Sequence, residues 1–198
     1  GHETLVMTGG SMFYIDAVCN GLDNLPGGDP ILRSELWQRL GEEGVEALAE
    51  ELRQKDPLTY SQIDTSNSQR VIRALEVCLV SGKPFSSFKT GERRMRSFEI
   101  EKVGLTRPRE ELYSRIDQRV LNMMDVGLVE EVRSLLPYRD RQALQTVGYK
   151  EIFEYLDGKI PLEEAVRLIQ RNTRHYAKKQ LTWWRRDPAI RWVEVSGQ

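Results

Sequence analysis

Between Arg167 and Arg186 the chain reads RLIQRNTRHYAKKQLTWWRR, which places seven cations and no carboxylate in twenty residues. Val166, Ile169, Thr173, Ala177, Leu181 and Trp184 recur at helical spacing. The segment is therefore predicted to be the body of a long helix, running from Leu162 to about Trp184, that buries one stripe. On the opposing side Arg167, Arg171, Arg174 and Lys178 fall within roughly 60° of one another at 100° per residue. A merely solvated face usually interleaves acids with bases to gain i,i+4 pairs, and here the acids are missing. The formal net charge is only -1, so the rest of the chain carries -8 against the +7 of this segment. So uneven a polarity implies an anionic partner, because clustered Lys and Arg attract phosphate whatever the overall charge.

The chain has 198 residues, 39% of them hydrophobic and 30% charged, enough to bury a core in one large domain or two small ones. No stretch approaches the roughly eighteen apolar residues of a membrane span, and no leader resembles a signal peptide, so the expected location is the cytoplasm. Cys19 and Cys78 sit in apolar surroundings without a Cys-x-x-Cys pair and read as buried thiols rather than a metal site or disulfide. Gly1 and His2 read as a cloning remnant.

The opening ETLVMTGGSMFYIDAVCNGL is predicted to form a short strand, a turn at Gly9-Gly10 and a helix from about Ser11. That is half of an α/β unit and suggests a piece of a larger protein. Leu25-Pro26-Gly27-Gly28-Asp29-Pro30 is dense in turn formers and marks a boundary, with Asp29 placed to cap the helix that Pro30 starts. Helices follow at Ile31 to Leu40, Val45 to Arg53 and Ser68 to Val80. A short turn begins at Asp56-Pro57, and Asp64 to Asn67 supply capping oxygens. Residues 81–96, rich in Gly, Ser, Lys and Arg, read as a mobile connection. Ser97 to Leu105 alternates as a strand does, with Phe98, Ile100 and Val103 inward. Beyond Pro108 a long helix is expected from Arg109 to Val126, closed by Gly127 in the left-handed region. Further helices are predicted at Val129 to Leu136 and Gly148 to Leu156, and a last strand at Ala189 to Val195. The domains expected are an α/β remnant at 3–25, a helical insertion at 26–96 and a C-terminal part of the core with the basic helix at 97–198.

Four groups of residues could carry chemistry. Gly9-Gly10-Ser11 at a helix start offers free N–H groups and a hydroxyl to an anion, or is a plain cap. Arg115 and Arg119, one turn apart, repel unless something negative lies between them; they are either solvated or hold a diphosphate, for which Arg offers bidentate bonds. Gln69, Arg70 and Arg73 open a helix and can share an anionic ligand, or Glu76 simply neutralises Arg73. In Gln145-Thr146-Val147-Gly148-Tyr149-Lys150, Tyr149 can stack on an unpaired base or belong to the core. No Ser/His/Asp order, HExxH, paired-carboxylate spacing or Walker loop is present, and His2 and His175 cannot build a metal cluster.

The blocks TGGSMFYIDAVCNGL, LPGGDPILR, DPLTYSQIDTSNSQRVIRALEV followed by SGKPFS, LYSRIDQRVLNMMDVGLVEEV, QTVGYKEIFEYLDG and TRHYAKKQLTWWRR stand in this order. Together they resemble the bacterial tRNA dimethylallyltransferases (tRNA isopentenyltransferases) over nearly all of Leu5 to Val195. The resemblance implies a partial P-loop-like α/β core with a helical insertion that closes over the anticodon loop. It implies transfer of a dimethylallyl group from its diphosphate to the exocyclic amine of the adenosine 3′ of the anticodon, with Mg²⁺ on the phosphates. Flipping that base into a channel fits the chemistry, since the amine is otherwise stacked away. Ser11 would sit beside the acceptor base in the channel. Arg119, with Arg115 a turn away, would grip the diphosphate as its carbon–oxygen bond breaks. Arg33, Gln69, Arg70 and Arg73 match positions that hold the tRNA, as does the run Gln145, Thr146, Gly148, Tyr149 and Lys150. Arg174, Lys178 and Lys179 would follow the anticodon-stem backbone. The partners expected are the tRNA anticodon stem-loop and dimethylallyl diphosphate, with no membrane, and the protein is expected to be a monomer.

Two departures stand out. The family's phosphate-binding loop and the Asp thought to act as its general base lie upstream of the matched region, so this chain on its own is expected to be inactive, and the Mg²⁺ ligands are expected to lie mainly outside it. Ser11 replaces a family Thr, which keeps the hydroxyl. Two other readings remain: a non-catalytic RNA-binding module, and a relative that prenylates free adenine nucleotide.

Overall fold

The computed structural model describes residues 3–90 and 95–195. Gly1, His2 and residues 91–94 of the connection lie outside the described residues. The chain is mixed α/β and mostly helical, with a two-stranded parallel sheet. It divides into two compact units, one of residues 1–15 and 98–198, the other of residues 16–97, so that the division falls within helix α1 (Met12–Asn20).

The unit of residues 16–97 is built on α2 (Pro30–Lys55), α3 (Pro57–Gln62) and α4 (Ser68–Ser81). Asp29 caps α2 as expected, its carboxylate accepting from the Ile31 and Leu32 amides at 2.9 and 3.2 Å. The two helices predicted over Ile31–Leu40 and Val45–Arg53 run on as one element with a kink at Gly44, where φ is 83°. Leu36, Leu48, Ala49 and Leu52 of α2 pack against Val71, Ile72, Ala74, Leu75 and Cys78 of α4. Each fully buried Leu contributes about 1.5–3 kcal/mol. Asp56, also buried, caps α3 through the Thr59 amide at 3.0 Å and takes the Ser86 amide at 2.7 Å and hydroxyl at 2.9 Å. The predicted connection is thereby tied to the helices at a single-turn 3-10 helix, Phe85–Phe88. Cys19 and Cys78 are free and buried, and burial raises the Cys78 thiol above its ordinary range.

In the unit of residues 1–15 and 98–198, α5 (Arg109–Asp125), α6 (Leu128–Ser134), α7 (Tyr149–Leu156) and α8 (Leu162–Trp184) surround Val120, Leu128, Val132, Ile152, Phe153, Ala165 and Ile169. β1 (Lys102–Thr106) pairs in parallel with β2 (Ile190–Glu194), Lys102 facing Ile190 and Gly104 facing Trp192. A Lys102–Asp187 ion pair at 2.6 Å pins the start of the sheet.

Two expectations need correction. The opening segment forms no strand: Leu5, Val6 and Met7 are exposed, Val6 by 85%, and a strand exists only by pairing, which no described segment supplies to them. The strand predicted at Ser97 to Leu105 begins later, at Lys102, so that Phe98 and Ile100 lie outside it and Val103 stands on its exposed face. Phe98, Ile100 and Val103 are exposed, while Lys102, Gly104 and Thr106 are the half-buried positions. The half-buried side is the one on which Gly104 lies, where a Cβ would come 2.7 Å from the Trp192 ring and 2.9 Å from Ile190. The covered face is filled from β2, and β1 supplies the room.

Candidate functional site

Helix α8 is the spine of the candidate site in its unit. Near its C-terminal end the Gln180 amide donates to the Gly10 carbonyl at 2.7 Å, which holds the Gly-Gly-Ser turn against it. Ser11 stands at the start of α1 with its carbonyl accepting from the Ile15 amide at 3.1 Å, and its side chain is exposed. Further toward the N-terminus, Gln170 donates to the Asp117 carbonyl at 3.3 Å, and Arg174 forms an ion pair with the Asp117 carboxylate beside the Tyr113 ring. These contacts dock α5. Asn172 donates to Glu151 at 2.7 Å and docks the loop before α7. One helix thus brings together the turn bearing Ser11, the helix bearing Arg115 and Arg119, and the segment Gln145–Lys150.

Within α5, Asp117 faces α8, so Arg115 and Arg119, two residues to either side, project from the opposite sector. Both arginines are exposed. In the 145–150 segment, Gly148 has a φ of 102° and donates its buried N–H to Glu151 at 2.8 Å. The Gln145 amide donates to the Arg139 carbonyl at 2.8 Å, Thr146 accepts the Lys150 amide at 3.2 Å, and the Lys150 side chain is exposed. Tyr149 takes the packed role of the two left open: it sits against the helical core and its hydroxyl donates to Glu131, which raises its pKa.

The cations of α8 fall into two classes. Arg167 pairs with Glu164 at 2.6 Å, Arg171 donates to Asn172 at 3.3 Å and Arg174 pairs with Asp117. The acids that the segment lacks come from one turn earlier and from α5, which corrects the inference of a face wholly without acidic partners. Beyond Arg174, Lys178 and Lys179 are exposed with no ion pair among the described residues. The density of unneutralised charge therefore lies in the half of α8 that also holds Gly10.

Arg33, Gln69, Arg70 and Arg73 belong to the other unit. Gln69 and Arg70 are exposed in the first turn of α4, which Asn67 caps through the Arg70 amide at 3.2 Å. Arg33 and Arg73 converge on Glu76, at 2.8 and 2.6 Å. Burial pushes the Glu76 carboxyl upward, but the bonds from Arg33 and Arg73 outweigh it and hold its pKa below the ordinary range. Sequence reasoning placed the two arginines and gave Glu76 only the neutralisation of Arg73. The stronger signal was a lone carboxylate in the apolar run Val71 to Val80, on the face that packs. Among the described residues no group of three or more His, Cys, Asp or Glu could hold a metal ion. No helix among them is long and apolar enough to cross a membrane.

A family model described as IPP transferase matches residues 1–187. A tRNA dimethylallyltransferase 2 of Porphyromonas gingivalis is 55% identical over 191 residues, covering 96% of this chain and 64% of its own length. A tRNA dimethylallyltransferase 1 of Bacteroides thetaiotaomicron is 51% identical, with 96% and 62% covered. The chain therefore spans less than two thirds of the curated relatives it matches. Among solved structures, a full-length tRNA isopentenylpyrophosphate transferase from Bacillus halodurans is similar at a TM-score of 0.54 and 37% identity, with 91% of this chain and 56% of that one covered. A eukaryotic dimethylallyltransferase acting on tRNA shares the fold at a TM-score of 0.69 and 23% identity, with 93% and 50% covered.

Proposed function

The chain belongs to the IPP transferase family, and we propose that it forms the acceptor-side and diphosphate-side part of a tRNA dimethylallyltransferase. In the reaction the carbon–oxygen bond of dimethylallyl diphosphate breaks, the carbon bonds to the exocyclic nitrogen of an adenosine 3′ of the anticodon, the nitrogen loses a proton and diphosphate leaves. Arg119, with Arg115 one turn away, balances the charge that grows on the departing diphosphate. Ser11, at an exposed helix start, offers its hydroxyl and nearby N–H groups to the acceptor base. Lys178 and Lys179 attract the RNA backbone, and Lys150 adds a third exposed cation from the loop docked on the same helix.

The observation that carries this reading is that α8 docks the Gly10-Ser11 turn, α5 and the Gln145–Lys150 loop while leaving its own Lys178 and Lys179 exposed and unneutralised. Packing alone accounts for the docked elements but gives no use for the unpaired lysines. The test is incubation of the full-length protein with dimethylallyl diphosphate and either unmodified tRNA or AMP. Prenylated tRNA with untouched AMP is the expected result. Consumption of AMP alone would replace the substrate, and RNA binding without prenyl transfer would reduce the protein to a binding module.

A further inference from the structure

Glu76 sits in the middle of α4, in the helix face that packs on α2, and its side chain is 0% exposed. A bare carboxylate there would be expensive, and three donors surround it. Its Oε1 accepts the Asp29 amide at 3.1 Å, and its Oε2 accepts both Arg33 Nη2 at 2.8 Å and Arg73 Nη1 at 2.6 Å. Arg73 uses its other terminal nitrogen to bond the Pro26 carbonyl at 3.1 Å. The Pro26–Asp29 turn is thereby fastened to the same group. Gly28 lies so close that a Cβ would come within 2.6 Å of Arg33 Nη2 and 3.0 Å of Glu76 Oε1.

One arginine would neutralise one carboxylate. Here there are two, their side chains 48% and 35% exposed, sharing a single oxygen. The cluster carries an excess positive charge, and each guanidinium has five N–H donors, of which the buried contacts take one or two. The remaining donors belong to two partly exposed side chains held at one oxygen, and such a fixed placement is what bidentate recognition of a phosphate requires. Flexible arginines without the shared anchor would repel one another and scatter.

We propose that Glu76 is a positioning residue that holds Arg33 and Arg73 side by side as a two-guanidinium clamp for a phosphate of the RNA backbone. This rests on the tRNA-modifying reading above and adds to it a buried group that never touches the RNA. Asp56 provides a matched comparison, since it is a buried carboxylate of the same unit whose hydrogen bonds come from Thr59 and Ser86 and which anchors no arginine among the described residues.

The experiment measures binding of an anticodon stem-loop RNA to the full-length protein across a salt series, with a thermal melt for each variant. Glu76→Gln should weaken binding about tenfold, the loss of one charge-assisted hydrogen bond. It should also lower the salt slope by about one phosphate equivalent. In an Arg33→Ala, Arg73→Ala background the same substitution should add no further loss. Asp56→Asn should lower the melting temperature and leave RNA affinity as it was. Should Glu76→Gln not fold, Arg33→Lys with Arg73→Lys keeps the charge while removing the forked geometry, and a loss of affinity is again expected. Wild-type binding with no effect of Glu76→Gln or of the paired lysine variant overturns the clamp alone. A further loss from Glu76→Gln in the double-alanine background does the same. A salt slope that falls for inorganic diphosphate but not for RNA reassigns the cluster to the prenyl donor and also overturns it. If the wild-type protein fails to bind the RNA, the clamp and the tRNA reading fall together.

Discussion

The Asn172 amide donates to the Glu151 carboxylate at 2.7 Å, and the other oxygen of that carboxylate accepts the Gly148 N–H at 2.8 Å, so a single buried acid fastens the 145–150 loop to α8. Glu151→Ala leaves the buried Gly148 N–H without an acceptor and should cost about 1–3 kcal/mol. Denaturant unfolding reads this directly. A variant with the parent's midpoint would mean that water replaces the carboxylate.

The two classes of cation on α8 predict opposite phenotypes. Lys178→Ala with Lys179→Ala should leave the melting temperature nearly unchanged and flatten the salt dependence of tRNA binding by about one to two phosphate equivalents. Arg174→Ala should do the reverse, because Arg174 joins α8 to Asp117 of α5 and its loss weakens that packing. Equal salt slopes for the parent and the double lysine variant would place those lysines away from RNA.

Arg119→Ala should impair use of the prenyl diphosphate far more than tRNA binding. Removing a donor from a developing negative charge slows turnover on the order of 10²-fold. The comparison is steady-state turnover at limiting dimethylallyl diphosphate against tRNA affinity measured without it. Unchanged turnover would remove Arg119 from the diphosphate.

Acid should loosen the unit of residues 16–97 through two carboxyls. Burial pushes both Asp56 and Glu76 upward, but hydrogen bonds from Thr59 and Ser86 in one case, and from Arg33 and Arg73 in the other, leave both below the ordinary range. A carboxyl lowered in the folded state stabilises fully above its unfolded pKa, near about 4, and loses that contribution as pH falls through the folded value. The melting-temperature gap between wild type and Asp56→Asn should therefore be constant from pH 7 to about pH 5 and narrow below about pH 4. A gap that widens in acid would reverse the sign assigned to Asp56.

The helices were legible because their signals are local. Asp29-Pro30, Asn67 and Gly127 mark ends, and the apolar spacing of α8 gives both its length and its packed face. What escaped depends on partners far along the chain. The late start of β1 at Lys102 follows from where β2 pairs with it, and the room left by Gly104 is filled by Trp192, which alternation along one strand cannot reveal. The opening apolar run has the composition of a strand, yet pairing is a property of two segments. The neutralisation of Arg174 by Asp117 was hidden for the same reason, since the acid stands on another helix. Of the candidate site, residue types and their helices were readable, whereas the buried acids Glu76 and Glu151 that orient them gain that role only in three dimensions.

The parallel sheet has a consequence for the order in which the chain takes shape. Lys102 waits for Ile190, and α5 to α8 all lie between them. Helices form within about a microsecond of becoming available, while ends this distant meet only after a large loop has been closed. At about 5–20 residues per second, β1 leaves the ribosome on the order of ten seconds before its partner is synthesised. Throughout that interval β1 lacks the partner it has in this sheet, so its pairing with β2 closes last and seals the helices made between them into one loop.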